Sequence, residues 1–117
     1  MIRTSLRDDL KAALKSRDRV AVTALRSALA AIENAEAVPV DRPAGATAAT
    51  SEHVAGAVGG LGAAEVERRH LTDADLRSIV EGEVRERSVA AREYERLGRT
   101  DLAERLRAEA EVLGRRL

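Results

Sequence analysis

Residues 25–36 constrain the fold most strongly, because their apolar side chains recur at steps of three and four. That spacing places them on one face of an α-helix. Only 1% of the 117 residues are aromatic, so leucine, valine, isoleucine and alanine have to fill the interior. This composition favours closely packed helices over a sheet sandwich or a barrel. We therefore predict an all-α fold in a single domain over residues 1–117.

The chain is expected to form two antiparallel helical hairpins with a flexible Ala/Gly-rich insert between them, because the helices of each pair are joined by short connections. The predicted helices span about 5–16, 18–37, 72–97 and 100–114, and the insert about 38–71. Asp8 and Asp9 are expected in the first helical turn. The predicted helix caps are Ser5, Asp18, Thr72 and Thr100 at N-termini and Gly98 at a C-terminus.

Each predicted helix has one apolar stripe that should face the core. The predicted stripes are Leu6, Leu10, Ala13 and Leu14; Ala21, Leu25, Ala28, Leu29 and Ile32; Leu76, Ile79, Val80, Val84, Ala91, Tyr94 and Leu97; and Leu102, Leu106, Leu113 and Leu117.

Charge and composition limit the classes of partner. The 20 basic and 20 acidic residues balance, so any contact with nucleic acid has to come from a local patch. The chain has no cysteine, which excludes disulfides and thiolate chemistry. Its first residues lead directly into a polar helix, and no later apolar run reaches membrane-spanning length. These features predict a cytoplasmic protein without a membrane partner.

The sequence offers no convincing metal or cofactor site. His53 and His70 lack further ligands at metal-site spacing. The glycine-rich residues 59–62 lack the preceding strand and the Lys-Ser/Thr pair of a phosphate loop. We accordingly predict no catalytic residue, no metal and no cofactor.

Four charged residues fall on or beside the apolar stripes, which predicts an ion-pair network between helices. Glu83 and Arg87 are four residues apart on one helix, and Glu109 lies between two inward leucines of the next. Arg26 on the second helix is the expected fourth member. A catalytic role for these carboxylates would require a cleft, whereas the structural interpretation requires only partial burial.

A row of cations follows the first helix and the turn after it. Arg7, Lys11 and Lys15 recur every four residues, and Arg17 and Arg19 follow. This row is a candidate phosphate-binding surface. The alternative is an ordinary solvated helix face whose side-chain stems cover neighbouring leucines. With phenylalanine and tryptophan absent, RNA contact would rest on phosphates and shape, and it would be sensitive to salt.

Several segments, taken in order, resemble the GatB/YqeY family, whose helical domain is related to the tail of the B subunit of the tRNA-dependent amidotransferase. The segments are residues 6–15, 25–36, 71–73, 83–87, 94–102 and 109–113. The resemblance adds Arg26 and Asn34 to the candidate nucleic-acid-binding residues, because they stand at family-like positions.

The resemblance implies a helical domain that engages tRNA, or a tRNA amidotransferase-type assembly, during transamidation of Glu-tRNA(Gln) or Asp-tRNA(Asn). It does not imply catalysis by this chain, although a family label can read carbon–nitrogen ligase activity with glutamine as amido-N-donor. Compared with usual members, we expect a longer insert and no second helical domain. A helical protein-interaction domain, including one that forms a homodimer, is the alternative.

Overall fold

The computed structural model describes residues 1–37 and 69–117, so the predicted insert lies outside the described residues except for residues 69–71. The described part consists of four α-helices without a strand, which confirms the all-α prediction. The helices are α1 (Ile2–Ser16), α2 (Arg19–Ala37), α3 (Asp73–Arg96) and α4 (Thr100–Gly114). The chain divides into two units, Met1–Glu33 with Leu71–Leu117, and Asn34–His70. In the second unit, the Arg69 amide donates to the Glu36 carbonyl at 2.9 Å.

The start of α1 differs from the prediction. The Ser5 amide donates to the Met1 carbonyl at 3.0 Å, so Ser5 already lies inside the first turn, and Met1 is the N-cap. Ile2 packs against the core and gives the extra turn an apolar anchor. The prediction that Ser5 caps this helix is therefore wrong, and Asp8 and Asp9 lie beyond its first turn.

Two other predicted N-caps are confirmed. The Asp18 carboxylate accepts a hydrogen bond from the Ala21 amide at 3.1 Å, which satisfies one free donor of α2. At α3, the Thr72 hydroxyl accepts from the Asp75 amide at 3.1 Å, and the Asp75 carboxylate accepts from the Thr72 amide at 2.9 Å. This reciprocal pair is a capping box.

The connection between α1 and α2 is a Schellman turn. The Asp18 amide donates to the Ala13 carbonyl at 2.9 Å, and the Arg17 amide donates to the Leu14 carbonyl at 3.3 Å. Arg17 lies in the left-handed region with φ 60° and ψ 38°. The turn reverses the chain within two residues and so pairs α1 with α2 as a hairpin.

The connection between α3 and α4 has the same hydrogen-bond pattern. The Arg99 amide donates to the Tyr94 carbonyl at 2.8 Å, and the Gly98 amide donates to the Glu95 carbonyl at 3.1 Å. Gly98 has φ 80°, which confirms the predicted left-handed glycine. Because the reversal is complete at Arg99, α4 begins directly at Thr100. The prediction that Thr100 caps α4 is wrong, since Arg99 is the N-cap.

All four helices contribute to one apolar core. Its buried members are Leu6, Ala13, Ala21, Ala24, Leu25, Ala28, Ile32, Leu76, Val80 and Leu113. Burying leucine, isoleucine and valine side chains supplies most of the drive for this packing.

Two predicted core leucines lie outside that core. Leu14 is 47% exposed because Ala13 faces the core at the end of α1. Leu97 is 65% exposed because it is the C-cap of α3, where the helical phase ends. The other predicted stripe residues are buried or partly buried. The predicted stripes did not include Ala24 or Ala103, which are fully buried.

Candidate functional site

A cluster of charged side chains is buried where α2, α3 and α4 meet; we call Ser27, Glu83, Arg87 and Glu109 the Arg87 cluster. Arg87 Nε donates to Glu109 Oε1 at 2.9 Å, and Arg87 NH1 donates to Glu83 Oε1 at 3.0 Å. The Ser27 hydroxyl donates to the same Glu83 oxygen at 2.7 Å. The three charged side chains are only 8–14% exposed.

Local sequence explains this geometry. Glu83 and Arg87 are four residues apart, so α3 presents them on one face, and Arg87 NH1 also contacts the Glu83 carbonyl at 3.2 Å. On α4, Glu109 lies one turn before the fully buried Leu113 and therefore points inward. Each carboxylate is engaged by Arg87, and no buried side-chain polar atom in the described residues lacks a partner. The arrangement suits a structural link between helices better than an accessible reaction centre.

The structure does not bring Arg26 into the Arg87 cluster. Its side chain is exposed, and it forms no ion pair within residues 1–37 and 69–117. Ser27, the next residue, occupies that position because one residue along a helix corresponds to a rotation of about 100°. Ser27 was not among the residues predicted from the sequence, although it is the polar residue immediately before the buried Ala28.

Five cations of the first hairpin are exposed. We call Arg7, Lys11, Lys15, Arg17 and Arg19 the basic ridge. Every member of the basic ridge is exposed, and none forms an ion pair with another described residue. Between residues 10 and 32 the only acid is Asp18, and its carboxylate accepts a hydrogen bond from the Ala21 amide.

Of the two acids on α1, Asp9 is paired, whereas Asp8 directly follows Arg7 and is exposed. Asp9 accepts two hydrogen bonds from the Arg116 guanidinium, at 2.6 and 2.5 Å. This hydrogen bonding, together with the Asp9 charge, raises the pKa of Arg116 above its ordinary value. Asp9 therefore neutralises Arg116 and offsets little of the positive charge of Lys11 or Lys15.

The second hairpin differs, because most of its arginines are paired. Seven of the ten arginines in residues 73–117 form ion pairs: Arg77, Arg87, Arg96, Arg99, Arg107, Arg115 and Arg116. Arg107 bridges α4 to Glu95 on α3 with contacts of 2.7 and 3.3 Å. That hydrogen bond, followed by the Arg107 charge, lowers the pKa of Glu95 below its ordinary value. Unpaired positive charge is thus concentrated on the first hairpin of the described chain.

The other predicted positions lie in the second unit or outside the described residues. Asn34 is exposed and belongs to the second unit of the chain. His70 is exposed, and His53 lies outside the described residues. Among the described residues, no group of three metal-ligating side chains comes together. In the same part of the chain, no helix combines the length and hydropathy needed to cross a bilayer.

One comparison with known proteins gives a match. A family model described as Yqey-like protein matches residues 52–117, which include all of α3 and α4. The resemblance in residues 6–15 and 25–36 lies outside this match. No curated protein and no solved structure matches the chain significantly.

Proposed function

The chain belongs to the YqeY-like family, and from that premise we propose that it is a non-catalytic helical binding module that engages tRNA through its basic ridge. The observation that carries the proposal is the contrast in pairing between the hairpins. The ridge cations are exposed without an ion pair in the described residues, whereas most arginines of the second hairpin are paired. Unpaired cations are free to exchange counterions for phosphates.

The chemistry of the ridge favours the phosphate backbone over bases. Arg7, Lys11 and Lys15 follow one side of α1, and a row of charges suits a polyanion with regularly spaced phosphates. Tyr94 is the only aromatic residue, and it lies on the other hairpin, so base stacking on the ridge is not available. Affinity should therefore tolerate sequence changes and fall steeply with salt. The relation of the family to the amidotransferase tail domain makes tRNA the first RNA to test.

The buried carboxylates support the non-catalytic half of the proposal. Glu83 and Glu109 are both committed to Arg87 and almost fully buried. A general acid or base has to reach its substrate within hydrogen-bonding distance. Neither carboxylate offers that access.

The test is tRNA binding as a function of salt. Fluorescence anisotropy of labelled tRNA would compare the parent with Lys11→Ala/Lys15→Ala. Each lost phosphate contact should flatten the plot of log affinity against log salt by roughly 0.9, so the double variant should lose close to two units.

A matched control removes the same charge from the second hairpin. Arg92 and Arg105 are exposed and form no ion pair within the described residues. Arg92→Ala/Arg105→Ala should leave the salt slope of the parent unchanged. Equal slopes for the parent and Lys11→Ala/Lys15→Ala, or no tRNA binding at low salt, would refute the proposal.

A protein-interaction domain is the second candidate, and an exposed apolar residue favours it. Val89 on α3 is 53% exposed and lines a shallow groove with Arg85, Ala90 and Glu93. Val89→Asp should abolish capture of a protein partner without changing tRNA affinity. If the folded parent binds no tRNA at low salt, this candidate replaces the first.

A further inference from the structure

Arg17 has a left-handed backbone conformation, which is unfavourable for a non-glycine residue. It is the only non-glycine residue with positive φ in the described part of the chain. In the left-handed region, the Cβ of an L-residue comes too close to the following carbonyl oxygen. The equivalent turn between α3 and α4 has Gly98 at the same position, with φ 80°. The hydrogen bonds of this turn therefore do not require an arginine.

Within the described residues, the hydrogen bonds that hold Arg17 in this conformation come from backbone groups alone. The Arg17 side chain is exposed and forms no ion pair there. The adjacent Asp18 carboxylate is engaged by the Ala21 amide at 3.1 Å. A strained residue whose side chain forms no ion pair within the fold is a candidate for a role outside the fold itself.

We propose that Arg17 is a direct RNA phosphate contact, which the left-handed turn presents at the end of the first hairpin. This inference rests on the proposed function, because it assigns one contact within the basic ridge. Lys15 and Arg19 flank the turn and are also exposed, so three cations lie within five residues. The guanidinium offers two parallel donors to a phosphate, which neither lysine of the ridge can match.

The proposal predicts that stability and affinity change in opposite directions. Arg17→Gly should raise the melting temperature by about 3 to 6 °C, because glycine adopts positive φ without the steric cost. It should also remove one phosphate contact. From a slope of roughly 0.9 per contact, tRNA affinity at about 0.1 M salt should fall close to eightfold relative to the parent.

Three further variants separate charge from backbone. Arg17→Asn also tolerates a left-handed conformation and removes the charge, so it should bind as weakly as Arg17→Gly. Arg17→Lys keeps both charge and strain, so it should retain most of the parent's salt slope at an unchanged melting temperature. Gly98→Arg places the strained arginine in the other turn; it should lower the melting temperature without increasing affinity.

The outcomes distinguish this inference from the proposed function. If Lys11→Ala/Lys15→Ala flattens the salt slope but Arg17→Gly and Arg17→Asn bind like the parent, Arg17 is not a contact and the basic ridge remains the binding surface. If none of these variants changes the slope, both proposals fail. Circular dichroism of each variant verifies that weaker binding does not come from unfolding.

Discussion

Replacing Arg87 with methionine is the sharpest test of how this bundle is held together. Arg87→Met keeps much of the side-chain volume but removes the cation that contacts Glu83 and Glu109 at 3.0 and 2.9 Å. Both carboxylates then remain in a site where they are almost inaccessible to water. Nothing else in the Arg87 cluster is positively charged, since Ser27 contributes only a hydroxyl.

The expected cost follows from the geometry. The two carboxylates contact one guanidinium, so they lie only a few ångströms apart. At about 5 Å and an effective dielectric constant of about 20, their repulsion is about 3 kcal/mol. Removing one partner from a buried ion pair generally costs about 3 to 5 kcal/mol. A small domain has a free energy of unfolding of about 5 to 15 kcal/mol, so Arg87→Met should remove a large part of it.

Urea denaturation monitored by circular dichroism measures this loss of unfolding free energy. Two control variants test whether the loss comes from burial of the charges. Arg107→Met breaks a bidentate pair between the same two helices, but Arg107 and Glu95 are 44% and 54% exposed. Its midpoint should stay close to that of the parent, because exposed pairs contribute little. The triple variant Glu83→Gln/Arg87→Met/Glu109→Leu should recover most of the stability lost in Arg87→Met, because no unpaired charge remains buried. Similar midpoints for Arg87→Met and Arg107→Met would refute the argument from burial.

Three further predictions concern local structure. Gly98→Ala should destabilise the protein by about 1 kcal/mol in the same denaturation assay, since alanine is strained at φ 80°; an unchanged midpoint would contradict the left-handed turn. Thr72→Ala should cost about 1 kcal/mol by removing the cap of α3, and Thr72→Ser should restore most of it; equal losses in both variants would argue against the capping box. Arg107 lowers the pKa of Glu95, so their ion pair stabilises the folded state at pH values above 4.5, the ordinary pKa of this carboxyl. This stabilisation is lost as the pH falls through the lowered pKa. Glu95→Gln should therefore flatten the acid side of a plot of melting temperature against pH, by a small amount that salt reduces; identical acid limbs for Glu95→Gln and the parent would contradict this assignment.

Local chemistry made several features predictable from sequence. Asp18 and Thr72 cap helices because their side chains bond to amides only three residues away, and Gly98 tolerates positive φ whatever surrounds it. Leu25 and Ile32 could be placed in the core because helical spacing alone puts them on one face. Such features depend on short stretches of chain, which the sequence displays directly.

Features that depend on packing between helices were harder to predict from the sequence. Ile2 extends α1 because it meets the core, and no local pattern distinguishes it from a disordered first turn. The choice between Arg26 and Ser27 as the partner of Glu83 depends on the rotation of α2 against α3. The left-handed conformation of Arg17 was not predicted, because arginine rarely adopts a positive φ.

The Arg87 cluster also has a consequence for the order of folding events. Each hairpin closes through a turn of two or three residues, so local contacts can form it quickly. Glu83, Arg87 and Glu109 belong to the second hairpin, but Ser27 belongs to the first, so the cluster is complete only after the hairpins dock. Docking then has to remove water from three charged groups, a cost that an apolar interface would not carry. We expect docking to limit the folding rate, and stopped-flow refolding of Glu83→Gln/Arg87→Met/Glu109→Leu should be faster than that of the parent; an equal or slower rate would place the barrier elsewhere.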